Sequence, residues 1–251
     1  MSFQAYITAT NHNNTVLASR LAAAGSLEER IVLIGDNARG RIAFSTSIGI
    51  EDQAILHAIA ATNITVDVFT LDTGRLFPET IDTIAESERR YGLKVRVVAP
   101  DTAALEELTN RDGVHGFRFS IAARKSCCEV RKVHPLNRAL AGASVWLTGL
   151  RREQSDTRIE LPFTERDTRL GLLKINPLAD WSNDRLESYV KDNDVPVNPL
   201  HGRGFPSIGC QPCTRAVEPG EHIRSGRWWW ESPEHKECGL HVRGRSAEAA
   251  E

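Results

Sequence analysis

Apolar positions fall into short continuous runs that alternate with longer stretches at helical spacing. Arg41-Ile-Ala-Phe-Ser45 reads as a first strand. Ile64 to Leu71 (ITVDVFTL) is rich in β-branched residues and has the length of a buried strand. Lys94 to Ala99 and Val145 to Thr148 predict a third and a fourth. Between them lie helical patterns. Ser26-Leu-Glu-Glu29 has the form of a capping box and opens a helix that ends near Gly35 or Gly40. After Asp52, Ala54, Ile55, Ala58 and Ile59 share one helical face. Pro78 to Tyr91, Thr102 to Thr109 and roughly Asn183 to Lys191 complete the set, and residues 1–25 predict a helix with a loose start.

This alternation predicts an α/β fold: a mostly parallel sheet with helices on both faces. Ligands of such sheets sit at the carboxyl ends of the strands. The loops Ser45–Asp52, Leu71–Arg75 and Gly149–Ser155 all leave strand ends and are the expected pocket wall. Pro196 to Cys213 reads as a shaped loop. From Glu218 on, Pro, Gly, Trp228-Trp-Trp230 and charge predict a mobile or loosely docked tail, frayed at Ala247 to Glu251. The expected organisation is a nucleotide-binding domain over 1–213 with a tail over 214–251.

Composition narrows the class. With 251 residues and 41% hydrophobic positions the chain fills a proper core without needing cysteine staples. A net charge of −2 argues against a nucleic-acid footprint. No run of about 18 apolar residues predicts a membrane span. Met1 to Asn14 has neither a basic nor an apolar signal region, so the expected location is the cytoplasm, where thiols stay reduced.

Five cysteines carry the strongest chemical signal. Cys127-Cys128 and Cys210-Gln-Pro-Cys213 form two pairs, and Cys238 stands apart. Thiolates select zinc or iron–sulfur centres. Structural zinc usually takes pairs with residues between the cysteines. Adjacent helical side chains diverge by about 100°, which suits a cube whose irons each take one thiolate, so a [4Fe-4S] cluster is favoured over zinc. Lys132, four positions after Cys128, shares its helix face and could reach cluster and substrate alike.

Ser45-x-Ser47-x-Gly49-x-x-Asp52 follows a strand and opens a helix, as an anion cradle does; an ordinary Ser-capped turn has the same form. Neither a Walker A loop nor a dinucleotide fingerprint is present. Arg151, Arg152, Arg224 and Arg227 are candidate anion forks. Cys238 lies near cations, which can lower a thiol's pKa enough to make it a nucleophile; alone it could be an incidental surface cysteine. The tryptophan run reads as docking surface rather than a cofactor box. His12, His57, His115, His201 and His222 show no ligand spacing.

Together, Cys127-Cys128, Cys210-x-x-Cys213, Lys236-Glu-Cys-Gly-Leu-His241, Ser45-x-Ser-x-Gly-x-Glu-Asp52 and Thr148-Gly-Leu-Arg-Arg-x-Gln-Ser155 closely resemble the thioredoxin-dependent assimilatory adenylyl-sulfate reductases of the sulfonucleotide reductase family. The resemblance runs from about Ile42 to His241. It implies a fold similar to the ATP pyrophosphatases (adenine-nucleotide alpha hydrolases), whose double-glycine loop is missing here. It also implies reduction of adenosine 5′-phosphosulfate (APS) to sulfite and AMP, on the way to cysteine. Ser45, Ser47, Gly49 and Asp52 would shape the phosphate loop, and Leu71, Asp72, Thr73 and Gly149 would flank the adenosine. Lys132, Arg224, Arg227 and one of Arg151 or Arg152 would clamp the phosphosulfate. Cys238 would attack sulfur to give an S-sulfocysteine, His241 would assist, and thioredoxin would release sulfite. Cys127, Cys128, Cys210 and Cys213 would hold a non-redox [4Fe-4S] cluster. Relatives acting on the 3′-phosphorylated nucleotide (PAPS) usually lack both pairs, yet dual specificity occurs. A tRNA-thiolating ATP pyrophosphatase and a non-catalytic metal module are the alternatives; balanced charge and the separate thiol count against them. Oligomeric state is left open, with a homo-oligomer compatible.

Overall fold

The computed structural model describes residues 14–155 and 158–232. A first helix, α1, covers 14–23. It is followed by α2 (Leu27–Asn37), β1 (Arg41–Thr46), α3 (Ile50–Thr62), β2 (Asp67–Leu71), α4 (Pro78–Tyr91), β3 (Arg96–Val98) and α5 (Thr102–Asp112). Then come α6 (Ile121–Cys128), α7 (His134–Leu140), β4 (Ala143–Leu147), β5 (Thr164–Asp167), β6 (Leu172–Ile175) and α8 (Asn183–Asp192). The six strands make one sheet in the order β3-β2-β1-β4-β6-β5. All neighbours are parallel except the β5–β6 edge hairpin.

The sheet is buried on both faces, which is why its central strands read as unbroken apolar runs. In β1, Ile42 and Phe44 face a core built with α1, α2, α3 and α8, whereas Ala43 faces the opposite layer with Phe69, Trp146 and Leu136 of α7. Phe44, Phe69 and Leu147 are fully enclosed, each contributing about 1.5–3 kcal/mol by burial. Ser26 caps α2 as its sequence predicts, accepting from the Glu29 amide at 3.1 Å. The return bond of the box lands one residue early: Glu29 accepts from the Gly25 amide.

Three expectations change. First, β2 and β3 are shorter than their apolar runs, because Ile64 to Val66 have no ladder partner. Second, the helix expected to carry Cys128 and Lys132 on one face is a rod over residues 121–140 interrupted between them by a π-helical turn at Glu129–Val133. Pro135, just beyond it, has no N–H to donate and crowds the carbonyl four residues back; the wide turn accommodates both. Third, residues 218–232 are not loosely docked. The amide of Trp228 donates to Cys213 O at 3.1 Å, Thr214 bridges Arg227, and Trp228 is 1% exposed. The start at residues 1–13 and the frayed end lie outside the described residues. Among the described residues no helix is long and apolar enough to cross a membrane.

Candidate functional site

Where β1 ends, the chain must turn sharply into α3. Ile48 sits in the left-handed region at φ 61°, an unfavourable place for a β-branched residue. Its side chain is 1% exposed, and its amide donates to Thr46 Oγ1 at 2.9 Å, so burial and a local bond hold the turn. Asp52, in the first turn of α3, accepts from the Ser47 amide at 2.5 Å and from Ser47 Oγ at 2.8 Å. Burial raises its carboxyl to about 6 against the opposing pull of the Ser47 bonds. Gly49 starts α3 without a side-chain cap, which leaves amides of the first turn facing the loop.

The opposite wall comes from the loop after β4. A Cβ on Gly149 would lie 2.2 Å from Asp52 Oδ1, so only glycine permits the two loops to meet. Between them opens a cavity of about 220 Å³ at the carboxyl ends of β1, β2 and β4. Ser45, Ser47, Gly49, Asp52, Leu71, Thr73, Gly149, Lys132, Arg224 and Arg227 all line it.

Three of the candidate residues, Asp72 and both Arg151 and Arg152, face elsewhere. Asp72 accepts from the Gly74 amide at 2.8 Å and shapes its own turn. Arg151, 2% exposed, is bound to Glu51 Oε1 at 2.9 Å, Asn183 Oδ1 at 2.8 Å and Trp181 O at 3.1 Å, tying α3 to the start of α8. Arg152 donates to Leu161 O at 3.0 Å and lies over Phe163. The arginine that does line the cavity from this region is Arg158, which donates to Gln154 Oε1 at 2.5 Å. No sequence signal singled it out, since nothing around it marks a strand end. Cys238 and His241 lie outside the described residues.

A second, smaller cavity is lined by Cys127, Cys128, Cys210 and Cys213, all free thiols. It shares Lys132, Cys210, Arg227 and Trp228 with the larger one. The shared wall is tightly built. Thr73 Oγ1 lies 3.2 Å from Cys210 Sγ, and Arg131 donates to Thr73 O at 2.6 Å. A Cβ on Gly209 would lie 2.2 Å from an Arg227 nitrogen, so that glycine makes room for the guanidinium. Burial pushes the Cys127 thiol up, and it pushes Cys213 up to about 12 with help from Cys210. Burial acts on Cys210 in the same sense, yet Lys132, the Thr73 hydroxyl, Arg227 and Arg131 together hold it below the ordinary thiol value. Among the described residues, no three His, Cys, Asp or Glu side chains are set to hold a single metal ion.

Asp52 has a pH signature. Its carboxyl is raised to about 6 in the folded chain, from 3.8. The folded state therefore binds the extra proton between those values, and this group's contribution to stability is lost as pH rises from about 4 to about 6. Urea unfolding midpoints of Asp52→Asn protein lack that slope, whereas the unaltered protein shows it.

The sequence matches the phosphoadenosine phosphosulfate reductase domain family over residues 41–216. It is 53% identical over 205 residues to the adenosine 5′-phosphosulfate reductase of Agrobacterium fabrum, covering 82% of this chain and 79% of that one. It is 50% identical over 227 residues to the enzyme of the same name from Allochromatium vinosum, covering 90% and 87%. The fold is similar to the crystal structure of phosphoadenylyl-sulfate (PAPS) reductase from Candida auris in its phosphate complex. That likeness has a TM-score of 0.68 and 27% identity, with 82% of this chain and 95% of that one covered.

Proposed function

The chain belongs to the phosphoadenosine phosphosulfate reductase domain family, and from that premise we propose that it reduces adenosine 5′-phosphosulfate to sulfite and AMP in sulfate assimilation. One observation carries this reading: the cavity at the strand ends and the four-cysteine cavity share a wall that holds Lys132 and Arg227. A sulfonucleotide needs cations where its phosphate oxygens gain charge on leaving, and those two residues, with Arg224 and Arg158, supply them.

In this mechanism the α3 amides and the Ser45–Asp52 loop receive the 5′-phosphate. Leu71, Thr73 and Gly149 enclose the nucleoside. Cys238, as thiolate, attacks the sulfate sulfur. A sulfur–sulfur bond forms, the sulfur–oxygen bond to phosphate breaks, and AMP departs with the electron pair, leaving S-sulfocysteine. His241 assists this step. A thioredoxin dithiol then attacks Cys238 Sγ and expels sulfite; its second thiol closes the reductant's disulfide and frees Cys238. The two electrons come from the dithiol. The functional division is a body over 1–213 and a nucleophile-bearing segment over 214–251.

The donor set of the smaller cavity fits an iron–sulfur group. Four thiols surround it, and the buried Trp228 Nε1 and Arg131 Nε, on residues lining it, have no hydrogen-bond partner among the described residues. Cys127, Cys128, Cys210 and Cys213 would hold a [4Fe-4S] cluster. When bound, it supplies charge and a fixed spacing to the shared wall rather than electrons. The expected location is the cytoplasm.

The test is anaerobic. Protein purified without oxygen is brown and contains iron, and with thioredoxin it releases sulfite from APS much faster than from PAPS. Colourless, iron-free protein would sink the cluster assignment; equal or reversed rates would sink the substrate assignment.

A further inference from the structure

Two serines face the same loop, yet their hydroxyls are set differently. The proton of Ser47 goes to Asp52 Oδ2 at 2.8 Å. Ser45 instead accepts, from Trp146 Nε1 at 2.8 Å. An indole N–H can only donate, and a serine hydroxyl has one proton and two lone pairs. The bond from Trp146 therefore occupies a lone pair of Ser45 and leaves its proton to point elsewhere. Among the described residues nothing accepts that proton, and Ser45 lines the larger cavity.

The placement of Trp146 follows from the sheet. It stands beside Ala43 in the β1–β4 ladder, so its indole reaches two residues further along β1. It is 1% exposed, which fixes its rotamer. Behind it lies Lys174 of β6, 5% exposed, with Nζ 5.3 Å from the ring centroid. A cation on the π face draws electron density from the ring and strengthens its N–H as a donor. Lys174, whose Nζ is also 3.8 Å from Glu165 Oε2, thus places a cation of β6 against the β4 indole that donates to β1.

We infer that Trp146 is a positioning residue: it orients the Ser45 hydroxyl as the one side-chain donor of the β1 loop to the 5′-phosphate, while Ser47 serves the loop itself. This rests on the reading of that loop as a phosphate cradle and goes beyond it by naming what aims the donor.

Calorimetric titration with AMP and with adenosine tests it. Trp146→Phe weakens AMP binding about five- to tenfold, the worth of one hydrogen bond, and leaves adenosine binding unchanged. Ser45→Ala loses a similar factor, and the double variant binds AMP within about twofold of Ser45→Ala alone. Should the phenyl ring fail to support folding, benzothienylalanine at position 146 keeps the shape and removes only the N–H; the same losses are expected. Multiplying effects in the double variant, or an equal loss for adenosine, would overturn the role of Trp146 alone. Unchanged AMP binding in Ser45→Ala would overturn the cradle reading as well.

Discussion

Cys238→Ser protein releases no measurable sulfite from APS with thioredoxin present, yet it keeps its brown colour and its affinity for AMP. The expected loss exceeds a thousandfold because the proposed attacking species is a thiolate. A free thiol near its ordinary value of about 8.5 is already partly ionised at neutral pH and falls further beside cations, whereas a serine hydroxyl stays protonated. Attack by the serine oxygen would at best give a sulfate ester, which has no sulfur–sulfur bond for a dithiol to reduce to sulfite. The four remaining cysteines line the smaller cavity, so the colour and iron of the proposed cluster are expected to persist. A covalent protein–sulfite adduct in the serine variant would remove Cys238 from the mechanism. The same experiment separates the fifth cysteine's role from that of the quartet, because exchanging Cys210 for serine should discharge the colour.

Glu231→Ala lowers the stability of the fold by about 3–5 kcal/mol, as expected when one partner of a buried ion pair is removed. Arg124 and Glu231 meet at 2.8–3.2 Å, with side-chain exposures of 1% and 4%. The guanidinium also lies over Trp228 at 4.6 Å and beside Cys128. Removing the carboxylate strands a buried positive charge. Distance alone does not decide this: Arg89 and Glu86 meet at 2.6 Å with side-chain exposures of 74% and 41%, and their separation costs little because water screens both charges. For a chain of this size the expected drop in Tm is roughly 6–20 °C. Exchanging both Arg124 and Glu231 for leucine recovers most of it, since an apolar pair needs no compensation. A drop as small as that of Glu86→Ala would show that water reaches the pair.

Why the sequence reveals some of this and hides the rest comes down to how far each signal reaches along the chain. The strand ends Ser45, Leu71 and Thr148 are marked by neighbours a few residues away, so the cavity wall is legible and the structure brings Ser45, Ser47, Asp52, Leu71, Thr73 and Gly149 together. Arg151 looks like an anion ligand because it follows a strand; its partners, Glu51 and Asn183, are distant in sequence, and only folding shows that they enclose it. The β5–β6 hairpin is hidden because Thr164–Asp167 has no apolar alternation. The segment around Trp228 is half legible: the tryptophan run reads as docking surface, but how firmly it is held shows only once Arg124, more than a hundred residues earlier, is known to receive it.

The π-helical turn at Glu129–Val133 has a consequence for the phase of the rod that contains it. Before the turn, Cys127 and Cys128 must face the tail and Cys210; after it, Leu136, Ala139 and Leu140 must face the sheet. A uniform α-helix advances about 100° per residue, so deleting one residue from this turn would rotate one half against the other by that angle. Either the sulfur side or the sheet side would then point the wrong way. The widened turn works as a phase adjuster, letting one continuous helix satisfy two neighbours whose directions no regular helix could match.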